Sequence, residues 1–185
     1  MLGAMLDPET LARLRGALAS SDVALRAQSV DALAIVRDAC GLRRALLSPD
    51  PYVRARAVQA LAAGKRRLSW RLARMCGDAH PRVRAAVVAA ASASSGWFAA
   101  PVLRRLARDR SAQVRCLAVH ALGAQPDGRS YRTLQTIAAY DEDPTVREAA
   151  DALVRRFDHA GRASGRGRIP FPRRKDPNNE GGDIK

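Results

Sequence analysis

A chain of 185 residues is long enough for a domain with its own core, and with 47% apolar but only 4% aromatic residues that core must be built from Ala, Leu and Val. Such a composition favours close-packed helices over a sheet and predicts an all-α chain. The formal net charge of +14, from 32 Lys and Arg against 18 Asp and Glu, suits an acidic partner such as nucleic acid, an anionic membrane face or an acidic protein; a genome rich in Arg and Ala codons gives the same balance.

In chain order, the opening "MLGAML" runs straight into Asp7 and Glu9, with no secretory signal, so the expected compartment is the cytoplasm. A first helix is predicted around Leu14 and a second after Asp22, and this pair of helices then recurs. Aligning on a pair that reads Val-Arg gives Leu25-Arg26, Val53-Arg54, Val83-Arg84, Val114-Arg115 and Val146-Arg147, at intervals of 28, 30, 31 and 32 residues. Apolar or small residues follow at offsets of 4, 7 and 8 (Ala57, Ala60 and Leu61 in the second copy), which is one face of a helix. The fifth copy slips by a residue, with Leu153 and Val154, and its stripe ends at Phe157.

Three residues before the anchors stand Asp22, Asp50, His80, Ser111 and Asp143, which read as N-caps, and Pro51, Pro81 and Pro144 follow at the first helical position. Each anchor therefore lies in the first turn of a second helix. The preceding first helices carry Leu14, Leu42, Leu72 and Leu103 eleven residues before their anchors, while in the fifth copy Leu134 and Ile137 take over the apolar face. Residues 85 to 103 carry no charge, but Ser94, Ser95, Gly96 and Pro101 break the run, so two helices meeting at a loop are expected rather than a membrane span. Cys40, Cys76 and Cys116 form no CxxC pair and read as small buried hydrophobes in a reducing compartment.

Five helix pairs of this kind cannot bury their apolar faces singly and must stack into an α-solenoid over residues 1–157. Residues 158–185, "DHAGRASGRGRIPFPRRKDPNNEGGDIK", lose the helical period and are expected to form a disordered basic tail.

The pattern "DPYVRARAVQALAAG", echoed in "AHPRVRAAVVAAASA", "DRSAQVRCLAVHALGA" and "DEDPTVREAADALV", resembles the HEAT repeat, in particular the short bacterial type named after phycobilisome lyase subunits. The resemblance implies that Asp78, Asp109 and Asp141, each five residues before an anchor, bond to the Arg after the anchor, so that Arg26, Arg54, Arg84, Arg115 and Arg147 form a structural ladder. Alkylation-repair glycosylases with HEAT-like helices use aromatic residues and an acid on the second-helix face. Here Trp70 and Trp97 fall at the starts of first helices, as packing or capping staples, and the catalytic pattern does not carry over.

No set of His, Cys, Asp or Glu shows metal spacing or catalytic grouping: His80 is a cap, His120 sits between Val119 and Ala121, and His159 lies in the tail. No enzymatic activity and no cofactor are expected. Two surfaces remain. Second helices would line a concave side, where Gln28, Asp31, Arg56, Gln59, Arg82 and His120 face a partner. First helices carry basic columns: Arg15, Arg43 and Arg104 one residue after the buried Leu, and Arg44, Arg74 and Arg105 two after it. Lys65, Arg66, Arg67, Arg71 and Arg108 widen those columns, and Arg166, Arg168, Arg173, Arg174 and Lys175 extend the charge into the tail around Ile169 and Phe171.

Three functions follow from these features. One is an adaptor that recognises a protein partner through the curved surface. Another is nucleic-acid binding through the first-helix Arg and the tail. The third, a chromophore-lyase-like subunit, rests on the family resemblance alone. The sequence leaves the oligomeric state open.

Overall fold

The computed structural model describes residues 7–63, 69–94, 99–124 and 127–163. Among these, every regular element is helical: α1 (Pro8–Ala17), α2 (Val23–Ile35), α3 (Ala39–Ala45), α4 (Pro51–Ala62), α5 (Trp70–Arg74), α6 (Pro81–Ser92), α7 (Ala99–Leu106), α8 (Ala112–Ala124), α9 (Gly128–Tyr140) and α10 (Pro144–Ala163). A 3-10 turn, Met75–Gly77, continues α5. The helices pair as α1/α2, α3/α4, α5/α6, α7/α8 and α9/α10, five units in register with the five repeats.

The helix starts form where the caps dictate. The Asp22 carboxylate accepts the Ala24 N–H, Asp50 accepts those of Tyr52 and Val53, and the His80 ring Nδ1 accepts that of Arg82. Asp143 does the same for Thr145 and Val146 at the start of α10. First helices have caps of their own in Asp7, Asp38, Ser69 and Asp127. Each cap satisfies N–H groups that a helix start leaves open, worth about 1 kcal/mol.

Neighbouring second helices pack directly on one another: α2 on α4, α4 on α6, α6 on α8 and α8 on α10. First helices touch one another far less, which makes the second-helix layer the tighter, inner side of the stack. Between the layers run the fully buried anchors Val53, Val83, Val114 and Val146, with Ala57, Val87, Ala118 and Ala150 one turn on. Each buried Val contributes about 1.5–3 kcal/mol. Small residues allow the close approach, most of all at Gly123, where an added Cβ would stand 2.5 Å from the Leu153 side chain of α10.

The two ends of the stack depart from expectation. Leu25, aligned with the buried anchors, is 41% exposed, since α2 packs on α1, α3 and α4 through its other faces; Arg26, Ala27, Val30 and Leu33 bury the helix instead. At the other end, α10 runs through Ala163, six residues beyond the expected boundary at Phe157, which is itself buried. Residues 164–185, the rest of the expected tail, lie outside the described residues. The charge-free stretch is divided as expected, α6 ending at Ser92 and α7 beginning at Ala99. No helix of the described residues is long and apolar enough to cross a membrane.

Candidate functional site

The most repetitive Arg column is structural. In every unit the Arg after the anchor turns back on its own inter-helix turn, where Nη1 donates to carbonyls five or six residues earlier: Ser20 and Ser21 for Arg26, Ser48 and Pro49 for Arg54, Asp78 and Ala79 for Arg84. Arg115 bonds Asp109 in this way, and Arg147 bonds Asp141 and Glu142. The other edge of the guanidinium reaches into the next unit. Arg54 forks onto Asp78 at 2.9 and 2.8 Å, Arg84 onto Asp109 at 2.6 and 2.7 Å, and Arg115 onto Asp141 at 2.9 and 2.8 Å.

Burial pushes the Asp78 and Asp109 carboxyls up, but the Arg fork, the N–H of the residue two positions on and the nearby positive charges outweigh it. Both carboxyls lie below the usual carboxylate range. The ladder is incomplete at its first rung, where Ser48 occupies the place of the Asp. Its hydroxyl still accepts the N–H two residues on, from Asp50, as Ser20 does for Asp22, yet the buried Nε of Arg26 has no partner.

The first-helix Arg residues divide into committed and uncommitted groups. Arg15 forks onto Asp38, the cap of α3, at 2.7 and 2.9 Å, and Arg104 reaches Asp127, the cap of α9, at 3.3 Å. Arg15 holds the Asp38 carboxyl below its ordinary range against the upward push of burial. These two, expected in open basic columns, instead tie one first helix to the cap of the next. Arg43 and Arg44 are exposed on α3, where the next cap is the neutral Ser69. Arg71 and Arg74 lie over the Trp70 ring at 5.2 and 5.8 Å. Trp70 is 52% exposed, so it is a surface platform for these cations rather than the packing staple expected of it.

Arg104, Arg105 and Arg108 do come together. With Pro101, Thr133 and Arg129 they line an open groove of about 560 Å³ between α7 and α9. Arg129, in the first turn of α9, escaped the sequence reading because it matches no repeat offset; the signal for it was its place beside the Asp127 cap. Lys65, Arg66 and Arg67, like Arg166, Arg168, Arg173, Arg174, Lys175 and Trp97, lie outside the described residues.

On the second-helix face Gln28, Gln59, Arg82 and His120 are exposed. Asp31 and Arg56, expected to face a partner, are bound to each other: Arg56 Nε donates to Asp31 Oδ1 at 3.0 Å and its Nη2 contacts both carboxylate oxygens. The physical reason is the stacking of α2 on α4, which sets opposite charges on adjacent turns. Arg56 also donates to the Tyr52 hydroxyl at 2.9 Å, and the Tyr52 ring lies beneath both Arg56, at 5.5 Å, and Arg82, at 5.3 Å. Tyr52 was missed, although it stands one residue before its anchor, the same offset as Arg82 in the next unit.

Among the described residues no group of three or more His, Cys, Asp or Glu is placed to hold a metal ion. All three cysteines are free thiols; Cys76 is buried as expected, Cys116 is only half-buried, and Cys40, in the first turn of α3, is exposed.

A stack of helix pairs tied unit to unit by an Arg–Asp ladder defines an α-solenoid, an architecture that commonly serves as a protein-interaction scaffold. This is the architecture of HEAT-like repeat proteins. Residues 68–154 match the family model of HEAT repeats, the span from α5 into α10. No curated protein matches the chain significantly.

Proposed function

We propose that this protein is a non-enzymatic, cytoplasmic adaptor that recognises a protein partner across the exposed face of its second helices. The observation that carries this reading is the Tyr52–Arg56–Arg82 cluster on α4 and α6. A partly exposed aromatic ring lies against two guanidinium groups, one anchored by Asp31 and one, Arg82, without an ion pair among the described residues. Tyr and Arg are the residue types that dominate binding hot spots, since each adds much contact area for little lost freedom. Fixing the ring before the partner arrives lowers the entropic cost of docking further.

Gln59 beside the cluster, and Gln113, Leu117 and His120 on α8, continue the surface with polar groups and one exposed apolar side chain. The partner would set a carboxylate against Arg82 and apolar surface against Tyr52 and Leu117. Gln28 lies beyond Asp31 on α2 and would meet the same partner at its edge. The three free thiols fit a reducing compartment.

Placing a photoreactive side chain at Gln59 tests this. Crosslinking in cells should capture a defined partner, and the Tyr52→Ala/Arg82→Ala variant should lose it while keeping its helical circular dichroism and melting temperature. Equal capture by the variant, or equal capture from a probe at Glu9 on α1, would refute the reading.

A further inference from the structure

We infer that the groove between α7 and α9 is a binding site for the phosphate backbone of a nucleic acid, on the opposite side of the stack from the face assigned to the protein partner and independent of that assignment.

The groove gathers guanidinium groups from two repeat units: Arg104, Arg105 and Arg108 from the fourth, and Arg129 from the fifth. A second depression, of about 320 Å³, shares Arg105 and Arg108 and adds Arg110 on the side of the third unit. Positive charge therefore runs along the first-helix side from the fourth unit's border with the third into the fifth.

Its neighbouring acids are already spent. Asp78 is forked by Arg54, Asp109 by Arg84 and Asp141 by Arg115, all largely buried; Asp127 caps α9 and pairs with Arg104, and the exposed Glu142 contacts Arg115. Arg105, Arg108 and Arg129 are exposed and make no ion pair among the described residues. Like charges one turn apart on a helix oppose folding, so folding alone does not account for this concentration.

The lining also selects the ligand. Among the described residues it offers, beside the four Arg, Pro101 and Thr133, so a protein segment would find few apolar side chains to bury there, whereas interface cores between proteins are rich in such area. Phosphate oxygens need none. Planar guanidinium forks match their geometry, and release of condensed counterions supplies the affinity. Contacts to phosphate carry no sequence information, so the binding is to backbone and indifferent to sequence.

The test is fluorescence anisotropy with the full chain and labelled mixed-sequence oligonucleotides of DNA and RNA, single-stranded and duplex, at low and moderate salt. Charge reversal at Arg105, Arg108 and Arg129 together should weaken binding to the preferred oligonucleotide by at least about tenfold at low salt. The slope of log affinity against log salt should fall by about two to three, as expected for three lost phosphate contacts. Reversal of Arg13, Arg155 and Arg156, an equal change of net charge on α1 and α10, should weaken binding much less.

Substituting Gln at the same three groove positions guards against a misfolded reversal variant, and both variants should keep the parent's melting temperature. Four results would overturn the site: no binding by the parent at low salt, equal loss in the α1 and α10 control, unchanged binding in the folded groove variants, or equally tight and equally groove-dependent binding of polyglutamate or of vesicles containing phosphatidylserine.

Discussion

Arg84 and Asp109 face each other across the boundary between the third and fourth units as a fork of two hydrogen bonds, with 4% and 6% of their side chains exposed. Each group has its remaining bonds satisfied locally, Arg84 by the Asp78 and Ala79 carbonyls and Asp109 by the Ser111 N–H. The pair couples two units that otherwise meet mainly through apolar packing, with the Arg110 guanidinium also donating to the Ala79 carbonyl. Removing the charge of Asp109 leaves a buried guanidinium unpaired, so Asp109→Asn is expected to lose about 3–5 kcal/mol in urea unfolding at neutral pH. The more exposed Asp31–Arg56 pair should matter less, with Asp31→Asn costing under about 1 kcal/mol. Similar losses in the two variants would contradict a structural ladder.

The pH dependence follows from the same carboxyls. Asp38, Asp78 and Asp109 all lie below their ordinary range in the folded chain. A carboxyl depressed on folding contributes stability that is fully present above the unfolded value, about 3.9, and is lost as pH falls through the folded value. Melting temperature should hold from neutral pH to about 4 and drop below it, and the gap between the parent and Asp109→Asn should narrow over that acidic range. A gap that stays constant down to pH 3 would show that the fork contributes nothing through charge.

Ser48 leaves the first rung of the ladder without a carboxylate. Since Arg26 already presents a buried, unpartnered Nε, Ser48→Asp should complete the rung and raise stability by about 1 kcal/mol. Thermal melts of this variant, alone and combined with Arg26→Gln, provide the check: the gain should vanish in the double variant.

The end of α2 holds Arg37 at a φ of 58°, the left-handed region. The Asp38 N–H bonds the Leu33 carbonyl at 2.9 Å and the Arg37 N–H bonds that of Ala34 at 3.1 Å, a Schellman closure that glycine makes without strain. Arg37→Gly should therefore stabilise by up to about 1 kcal/mol, and a loss of stability in chemical denaturation would mean that the Arg side chain has an unseen role.

Leu61 is 7% exposed among the packed second helices, whereas Gln59, two residues earlier, faces solvent. Leu61→Asp should cost several kcal/mol and unfold the stack cooperatively, while Gln59→Ala should stay within about 0.5 kcal/mol. Circular dichroism during thermal unfolding separates the two, and equal behaviour would place the repeat register in error.

Much of the ladder was legible because it repeats. An Arg after every anchor, and an Asp five before three of them, mark positions that stacking must superpose. Surface roles were less legible. Arg56 and Arg104 looked open to a partner, yet both pair with an Asp more than twenty residues away. Trp70 looked like a staple and is an exposed platform. Tyr52 and Arg129 carried no motif, although Tyr52 shares its offset with Arg82.

By itself, then, the sequence determined the helix pairs, their caps, the buried Val and Ala faces and the number of units. These follow from local hydrogen bonding and from periodicity within one or two turns. Tertiary structure alone decided which charges are spent and which remain. Ion pairing between units depends on how far each helix is shifted and rotated against its neighbour, and that is settled by the packing of small side chains such as Gly123 against Leu153. Arg105, Arg108 and Arg129 of the α7–α9 groove are cations that stacking left without an ion pair among the described residues, because the acids around them are held by other Arg.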